Sequence, residues 1–178
     1  MRRVSLNQLR TLYMYTSSVP VFKQLLNSLS AILTKAEALA TGKKFDPKVL
    51  LDARLFPDMF PLSRQVQIAT DFAISVSARL ACVDAPAYDD NEQSFTELQG
   101  RISKALSFID TLTPAQFEGS ETREIVLRPD TPKEKKLVGH TYLSNYGLPQ
   151  FFFHVTTAYA ILRHNGLEVG KGDFMGAY

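Results

Sequence analysis

The feature that most constrains the fold is a spacing of apolar residues that recurs in three long segments of the chain. Within each segment the apolar residues are three or four positions apart, which places them on one face of an α-helix. The three sets are Phe22, Leu25, Leu29, Ile32, Ala36 and Leu39 in residues 19–40, Leu62, Val66, Ala69, Ala73, Val76 and Leu80 in residues 61–82, and Phe95, Leu98, Ile102, Ala105, Ile109 and Leu112 in residues 94–112. Each spacing predicts a helix that buries one face.

A fourth helix is predicted near the C-terminus, in residues 150–166. This run, QFFFHVTTAYAILRHNG, is the densest apolar and aromatic stretch of the chain, so we expect the helix to be buried on nearly all sides. It begins between His140 and Leu148 and ends at Asn165-Gly166, where glycine favours a left-handed C-cap. Four such helices predict an all-α four-helix bundle.

The start of the first helix has two interpretations. Ser17 and Ser18 can form its N-terminus, because Pro20 is tolerated in a first turn. Alternatively, residues 6–15 are already helical and Pro20 kinks one longer helix. The longer helix is the favoured interpretation.

The connections between the helices are long. The apolar segment 55–61 is expected to pack over the end of the core or to line a cleft there, and Asp46-Pro47 begins a short helical turn before it. The first part of residues 123–138, REIVLR, alternates in polarity and contains the β-branched Ile125 and Val126. This predicts a short β-hairpin, or an ordered excursion, between the third and fourth helices. We expect a single domain over residues 1–178, with a core of about 12–166 and a loosely held, glycine-rich tail at 167–178.

Composition excludes several classes of function. The net charge is +2, and the one basic cluster is Lys133, Lys135 and Lys136, so no nucleic-acid surface is predicted. The single cysteine, Cys82, excludes an internal disulfide and all multi-cysteine zinc sites, and we expect it to be a small buried hydrophobe. No apolar run is long enough for a membrane span, and no convincing signal peptide begins the chain. A cytoplasmic protein is expected.

Common catalytic motifs are absent from the sequence. It has no glycine-rich phosphate loop, no GxSxG, no HExxH and no paired Glu-x-x-His. Its three histidines are His140, His154 and His164. On a continuous helix His154 and His164 lie about 15 Å apart along the axis, so they cannot bind one metal ion together. His164 is expected to interact with the free carbonyls at the helix C-terminus.

A few polar residues fall close to the predicted core. Gln150 and His154 are four positions apart and share one helix face. On the second helix Gln65 flanks the apolar face, whereas Gln67 points further outward. A polar side chain beside a core must find a hydrogen bond or a ligand. Either these residues are satisfied within the core, or they form a site.

Two segments resemble a known family. Residues 54–71, RLFPDMFPLSRQVQIATD, and residues 151–166, FFFHVTTAYAILRHNG, are similar to a bacterial and fungal family of unknown function within the DinB/YfiT-like superfamily. The resemblance extends from Leu12 to Phe174. It implies a four-helix bundle with long crossings between helices.

The resemblance also implies where a site would lie. In the superfamily a divalent metal, often nickel or zinc, is held by one histidine of the second helix and an HxxxH pair of the fourth, and some members are thiol-dependent transferases or hydrolases. His154 matches the second histidine of that pair, Gln150 stands at the first, and Gln65 or Gln67 stands at the second-helix position. Amide oxygens are weak ligands for nickel or zinc, so this altered site is expected to hydrogen-bond a small molecule or ordered water.

Three functional hypotheses remain. In the first, Gln65, Gln150 and His154 face a cleft closed by the loop 55–60 and by Tyr146; the protein binds a small molecule, catalyses a thiol-linked transfer, or uses His154 as a general base. In the second, it is a non-catalytic homodimer whose glutamines and His154 are satisfied core groups. In the third, His154 still binds a metal ion despite the altered ligands.

Overall fold

The structure, a computed structural model, describes the backbone of residues 6–177 and the side chains from residue 11 onward. The helices are α1 (Leu6–Thr16), α2 (Val19–Lys43), α3 (Lys48–Leu51), α4 (Leu62–Ala81), α5 (Phe95–Asp110), α6 (Gly139–Tyr142), α7 (Leu148–His164) and α8 (Lys171–Met175), and the strands are β1 (Glu124–Leu127) and β2 (Lys135–Val138). A 3₁₀ turn spans Pro114–Phe117 and a π-helical turn spans Leu143–Gly147. None of the helices in this part of the chain is long and apolar enough to cross a membrane.

The four long helices form a bundle, as predicted. Helices α2 and α4 each pack against both α5 and α7. Every residue of the three predicted apolar faces is buried except Leu39, which is partly buried at the edge of the core. The predicted fold class, a four-helix bundle with long connections and a hairpin between the third and fourth long helices, α5 and α7, is confirmed.

The N-terminus differs from the favoured interpretation. The helical conformation is interrupted at Ser17 and Ser18, so that α1 and α2 are separate helices rather than one kinked helix. The buried hydroxyl of Ser18 donates to the Met14 carbonyl at 2.6 Å, which satisfies an acceptor at the end of α1. Pro20 then lies in the first turn of α2, where its missing N–H leaves no hydrogen bond unmade.

Two places predicted to be buried are exposed. Leu55, Phe56 and Phe60 have 40%, 64% and 54% of their surface exposed, so the first of the two expectations for residues 55–61, packing over the core, is wrong. Cys82 is also exposed. It is the left-handed C-cap residue of α4, with a φ of 56°, and a residue beyond the last helical turn leaves the buried face.

The hairpin is joined to α7, the fourth long helix of the bundle, without an irregular loop between them. Strands β1 and β2 pair antiparallel, with Glu124 opposite Val138 and Leu127 opposite Lys135. Helix α6 starts at the residue after β2, and the π-helical turn joins it to α7. Helix α7 ends at His164, with Gly166 at a φ of +89°, as the Asn-Gly signal predicted.

The C-terminal tail is held against the bundle, so the expectation of a loose tail is wrong. Leu167 and Val169 are buried. The Phe174 ring of α8 meets the Tyr159 ring of α7 edge-on at 5.7 Å. The Gln24 amide of α2 donates to the carbonyl of Met175 at 2.8 Å.

Candidate functional site

The centre of the candidate site is a buried pair, Gln65 of α4 and His154 of α7. Helices α4 and α7 pack side by side, and residues 89 positions apart in sequence meet where His154 Nδ1 lies 2.7 Å from Gln65 Oε1. Gln65 is 1% exposed and His154 is 7% exposed. The packing of two predicted helix faces therefore brings two predicted site residues into direct contact.

A second hydrogen bond of the Gln65 side chain determines which nitrogen of the His154 ring carries the proton. Gln65 Nε2 donates to the Phe60 carbonyl at 3.1 Å, which directs Oε1 toward the imidazole. Because an amide oxygen only accepts, His154 Nδ1 must carry the proton and donate it. A neutral His154 then has its lone pair on Nε2.

Aromatic side chains surround the imidazole. Phe72 stacks on it with ring centroids 5.9 Å apart, and Phe153 meets it edge-on at 5.2 Å. Tyr146 contacts Phe72 in turn, at 5.9 Å. Among the described residues His154 Nε2 has no hydrogen-bond partner. It is also not among the polar atoms that are buried from solvent without a partner. This nitrogen is thus available to a ligand.

The environment keeps His154 neutral. Burial lowers its pKa from 6.5 to about 4, and the nearby positive charge of Arg64 lowers it in the same direction. Both effects oppose the charged imidazolium. At neutral pH the ring is a hydrogen-bond acceptor at Nε2 and a donor at Nδ1.

The protein should become less stable as the pH falls from about 6.5 to about 4. In this window the unfolded state binds a proton at His154, whereas the folded state does not until the pH reaches about 4. The stability contributed by the neutral ring is complete above pH 6.5, and we expect to lose on the order of 2 kcal/mol of it by pH 4. Urea denaturation at several pH values measures this loss.

The His154→Gln variant should lack that part of the pH dependence, since glutamine does not titrate. The matched control is His164→Gln, at an exposed histidine at the end of the same helix. It should keep the full dependence. An unchanged pH profile in His154→Gln would contradict the assignment of the neutral ring.

Gln150 and Tyr146 line a different, adjoining cleft. This cleft of about 210 Å³ lies between the hairpin and the start of α7, and its lining residues are Leu127, Arg128, Lys133, Lys135, Tyr146 and Gln150. Among the described residues no hydrogen bond joins Gln150 to Gln65 or His154. Tyr146, in the π-helical turn, connects the two places because its ring packs on Phe72.

Gln67 lies in neither place. The expectation that it points outward is wrong, because it is 5% exposed. Its Nε2 donates to Glu92 at 2.8 Å and its Oε1 accepts from Arg64 at 3.1 Å. Residues two apart on a helix point about 200° apart, so Gln65 and Gln67 could not both reach His154.

The donor set at His154 does not fit a divalent metal ion. Gln65 Oε1 accepts the Nδ1 proton, so this amide oxygen is already engaged. Gln150 lines the adjoining cleft. Within residues 11–177 no three His, Cys, Asp or Glu side chains are grouped to hold a metal ion, and nickel and zinc sites rely on such ligands. His154 alone supplies one imidazole.

One buried arginine was not predicted from the sequence. Arg101 of α5 is 2% exposed, and it forms salt bridges with Asp71 at 2.5 Å and Glu92 at 2.9 Å. Its Nε donates to Thr70 at 2.7 Å. The signal was present, since Arg101 directly precedes Ile102 on the predicted apolar face and the acidic loop 89–92 lies close in sequence. This network fixes the loop rather than reaching His154.

Comparisons with known proteins agree with this fold. A family model for a domain of unknown function, DUF1993, matches residues 14–175. The crystal structure of a DinB family member protein from Shewanella denitrificans, at 1.83 Å resolution, is similar over 96% of both chains, with a TM-score of 0.91 and 42% sequence identity. No curated protein matches the chain. The resemblance inferred from residues 54–71 and 151–166 is confirmed.

Proposed function

The chain belongs to the DUF1993 family, in the DinB-like group of helical bundles, and we propose that it binds a small molecule at the Gln65–His154 pair. One observation carries this proposal: a neutral imidazole is fixed through Nδ1 while Nε2 has no partner among the described residues. Nε2 is not sealed from solvent, so a ligand can approach it. A ligand that donates a hydrogen bond would satisfy it.

The surroundings indicate the chemistry of that ligand. Phe72 and Phe153 flank the imidazole, so the part of the ligand nearest His154 would be apolar or aromatic around one donor group. The donor would be an O–H, N–H or S–H. Small-molecule sites commonly combine apolar walls with a few oriented polar groups.

Binding is favoured over catalysis by His154. A general base works best when its pKa lies near the working pH, whereas the pKa of His154 is about 4. A thiol ordinarily has a pKa of about 8.5, far too high for this ring to deprotonate readily. A thiol-linked transfer would therefore need another group to activate the thiol. Toward His154 a thiol is one class of hydrogen-bond donor, alongside hydroxyl and amide groups.

The test uses protein labelled with ¹⁵N at its histidines. Phenol, benzamide and glutathione are added separately, and each histidine nitrogen is followed by NMR. We expect at least one probe to shift the Nε2 resonance of His154 in a saturable way, because a donated hydrogen bond changes the shielding of that nitrogen. The exposed His164 serves as an internal control and should not respond.

The matched variant is His154→Gln, which keeps a donor toward Gln65 but removes the imidazole acceptor. The probe that shifts His154 Nε2 in the native protein should bind the variant at least about tenfold more weakly, as expected for loss of one well-formed polar contact. No response from His154 to all three probes would count against the proposal, as would an equal response from His164.

A second candidate function is a non-catalytic homodimer. It is favoured by Phe152 and Phe153 of α7, which are 37% and 55% exposed, because aromatic residues are enriched at subunit interfaces. In that case the Gln65–His154 bond would only fix the packing of α4 on α7. Sedimentation equilibrium of the native protein and of Phe153→Ser distinguishes the two: a dimer that the substitution dissociates would support this alternative.

A further inference from the structure

The cleft between the hairpin and the start of α7, from here on the hairpin cleft, is lined by charged residues, unlike the aromatic surroundings of His154. Three of its lining residues are cationic, Arg128, Lys133 and Lys135, and no carboxylate of the described residues lines it. In the same part of the chain none of these three cations takes part in a salt bridge. Tyr146 and Gln150 add a hydroxyl and an amide on the side of α7. Unpaired like charges gathered in one cleft repel one another unless an anion lies between them.

Arg128, Lys133 and Lys135 are exposed, and the strand register determines on which face of the hairpin Lys135 lies. Lys135 is directly opposite Leu127, so the two side chains leave the hairpin on the same face. Leu127 is 6% exposed, which makes that face the one turned toward the bundle. Lys135 therefore lies on the inner face, at the mouth of the cleft.

Lys136, the next residue, differs from Lys135 because it lies near carboxylates. Lys136 is opposite Val126 on the outer face, and its Nζ lies 3.9 Å from Glu124 and 4.0 Å from Glu134. Glu134 also accepts a hydrogen bond from the backbone N–H of Asp130 at 3.0 Å. The carboxylates of Glu124 and Glu134 thus lie near Lys136, and among the described residues no carboxylate forms a salt bridge with Arg128, Lys133 or Lys135.

We infer that this cleft binds the phosphate group of a soluble small molecule. A phosphate carries close to two negative charges at neutral pH, so it offsets more of the charge of Arg128, Lys133 and Lys135 than one carboxylate would. Arginine and lysine are the residues that commonly bind phosphate, arginine through two parallel hydrogen bonds. A volume of about 210 Å³ suits such a group rather than a whole drug-sized ligand. The inference does not depend on the proposed role of His154.

The test is calorimetric titration with inorganic phosphate and with glycerol 3-phosphate, with chloride adjusted to hold the ionic strength constant. We expect saturable binding of both, and at least about tenfold weaker binding in Lys135→Gln and in Arg128→Gln. The matched control is Lys136→Gln, which removes the same charge from the adjacent residue on the outer face. It should change the affinity by less than about twofold, because Lys136 lies on the outer face beside Glu124 and Glu134.

Further arms separate this site from its alternatives. His154→Gln should bind phosphate with unchanged affinity, so failure at the Gln65–His154 pair and failure here give different results. Acetate should bind more weakly than phosphate. The inference would be overturned by the absence of saturable phosphate binding, or by equal weakening in Lys136→Gln. Sedimentation with phosphatidate vesicles that depends on Lys135, without binding of glycerol 3-phosphate, would overturn the soluble source of the phosphate.

Discussion

Replacing Arg101 with methionine is expected to lower the free energy of unfolding by about 3–5 kcal/mol. Arg101 is 2% exposed, and its guanidinium binds Asp71 and Thr70 of α4 and Glu92 of the acidic loop. Removing it leaves Glu92, whose side chain is only 11% exposed, without its cationic partner. An uncompensated buried charge is more costly than the lost bonds alone. Urea denaturation followed by circular dichroism at pH 7 measures the change.

The matched control is Lys23→Met. Lys23 forms a salt bridge with Asp110, but the two side chains are 41% and 54% exposed, and such surface pairs contribute only about 0–1 kcal/mol. Adding Glu92→Gln to Arg101→Met should recover part of the loss, because the carboxylate no longer carries an unpaired charge. A loss below about 1 kcal/mol in Arg101→Met would show that the network does not stabilise the bundle.

Replacing Gly139 with alanine should also destabilise the fold, by about 3 kcal/mol. Gly139 is buried at the junction of β2 and α6, and its N–H donates to the Arg123 carbonyl at 2.8 Å. A Cβ at this position would overlap the carbonyl oxygen of Ser120 and lie 2.9 Å from its carbonyl carbon. Because these are backbone atoms, they cannot move aside by a change of rotamer. The same denaturation experiment applies.

Gly100→Ala is the control for this substitution. Gly100 lies within α5, and a Cβ there would meet nothing within 4 Å. Alanine is the better helix former, so the variant should be more stable by about 0.5–1 kcal/mol. The two glycine substitutions should therefore change stability in opposite directions. A neutral Gly139→Ala would mean that the hairpin junction tolerates displacement.

The bundle could be predicted from the sequence because its signal is local. A helix periodicity needs only the residues of one segment, and the apolar faces of α2, α4 and α5 end up buried almost without exception. The signals at the helix ends are also local. Ser94 caps the start of α5 by accepting from the N–H of Glu97 at 3.1 Å, and Gly166 follows the end of α7 by two residues. The start of α2 after Ser18 was the interpretation that was not favoured, and the Ser18 hydroxyl bonds to the turn before it rather than capping the helix after it.

The site could be predicted only in part. A polar residue beside an apolar face drew attention to Gln65 and to His154, and these two do meet. The same signal selected Gln67 and Gln150, which the structure places with Glu92 and in the hairpin cleft. Helix geometry separates Gln65 from Gln67 but does not tell which of them faces α7. That choice depends on how α4 is rotated against its neighbours.

By itself the sequence determined the helices, their apolar faces and the hairpin, because each of these depends on the order of nearby residues. Only the tertiary structure decided which partner each buried polar group receives. The tautomer of His154 depends on Gln65 and, through it, on the Phe60 carbonyl. The inner position of Lys135 depends on the strand register. Hydrogen bonds and charges act over a few ångströms, and residues far apart in sequence come that close only after the helices pack.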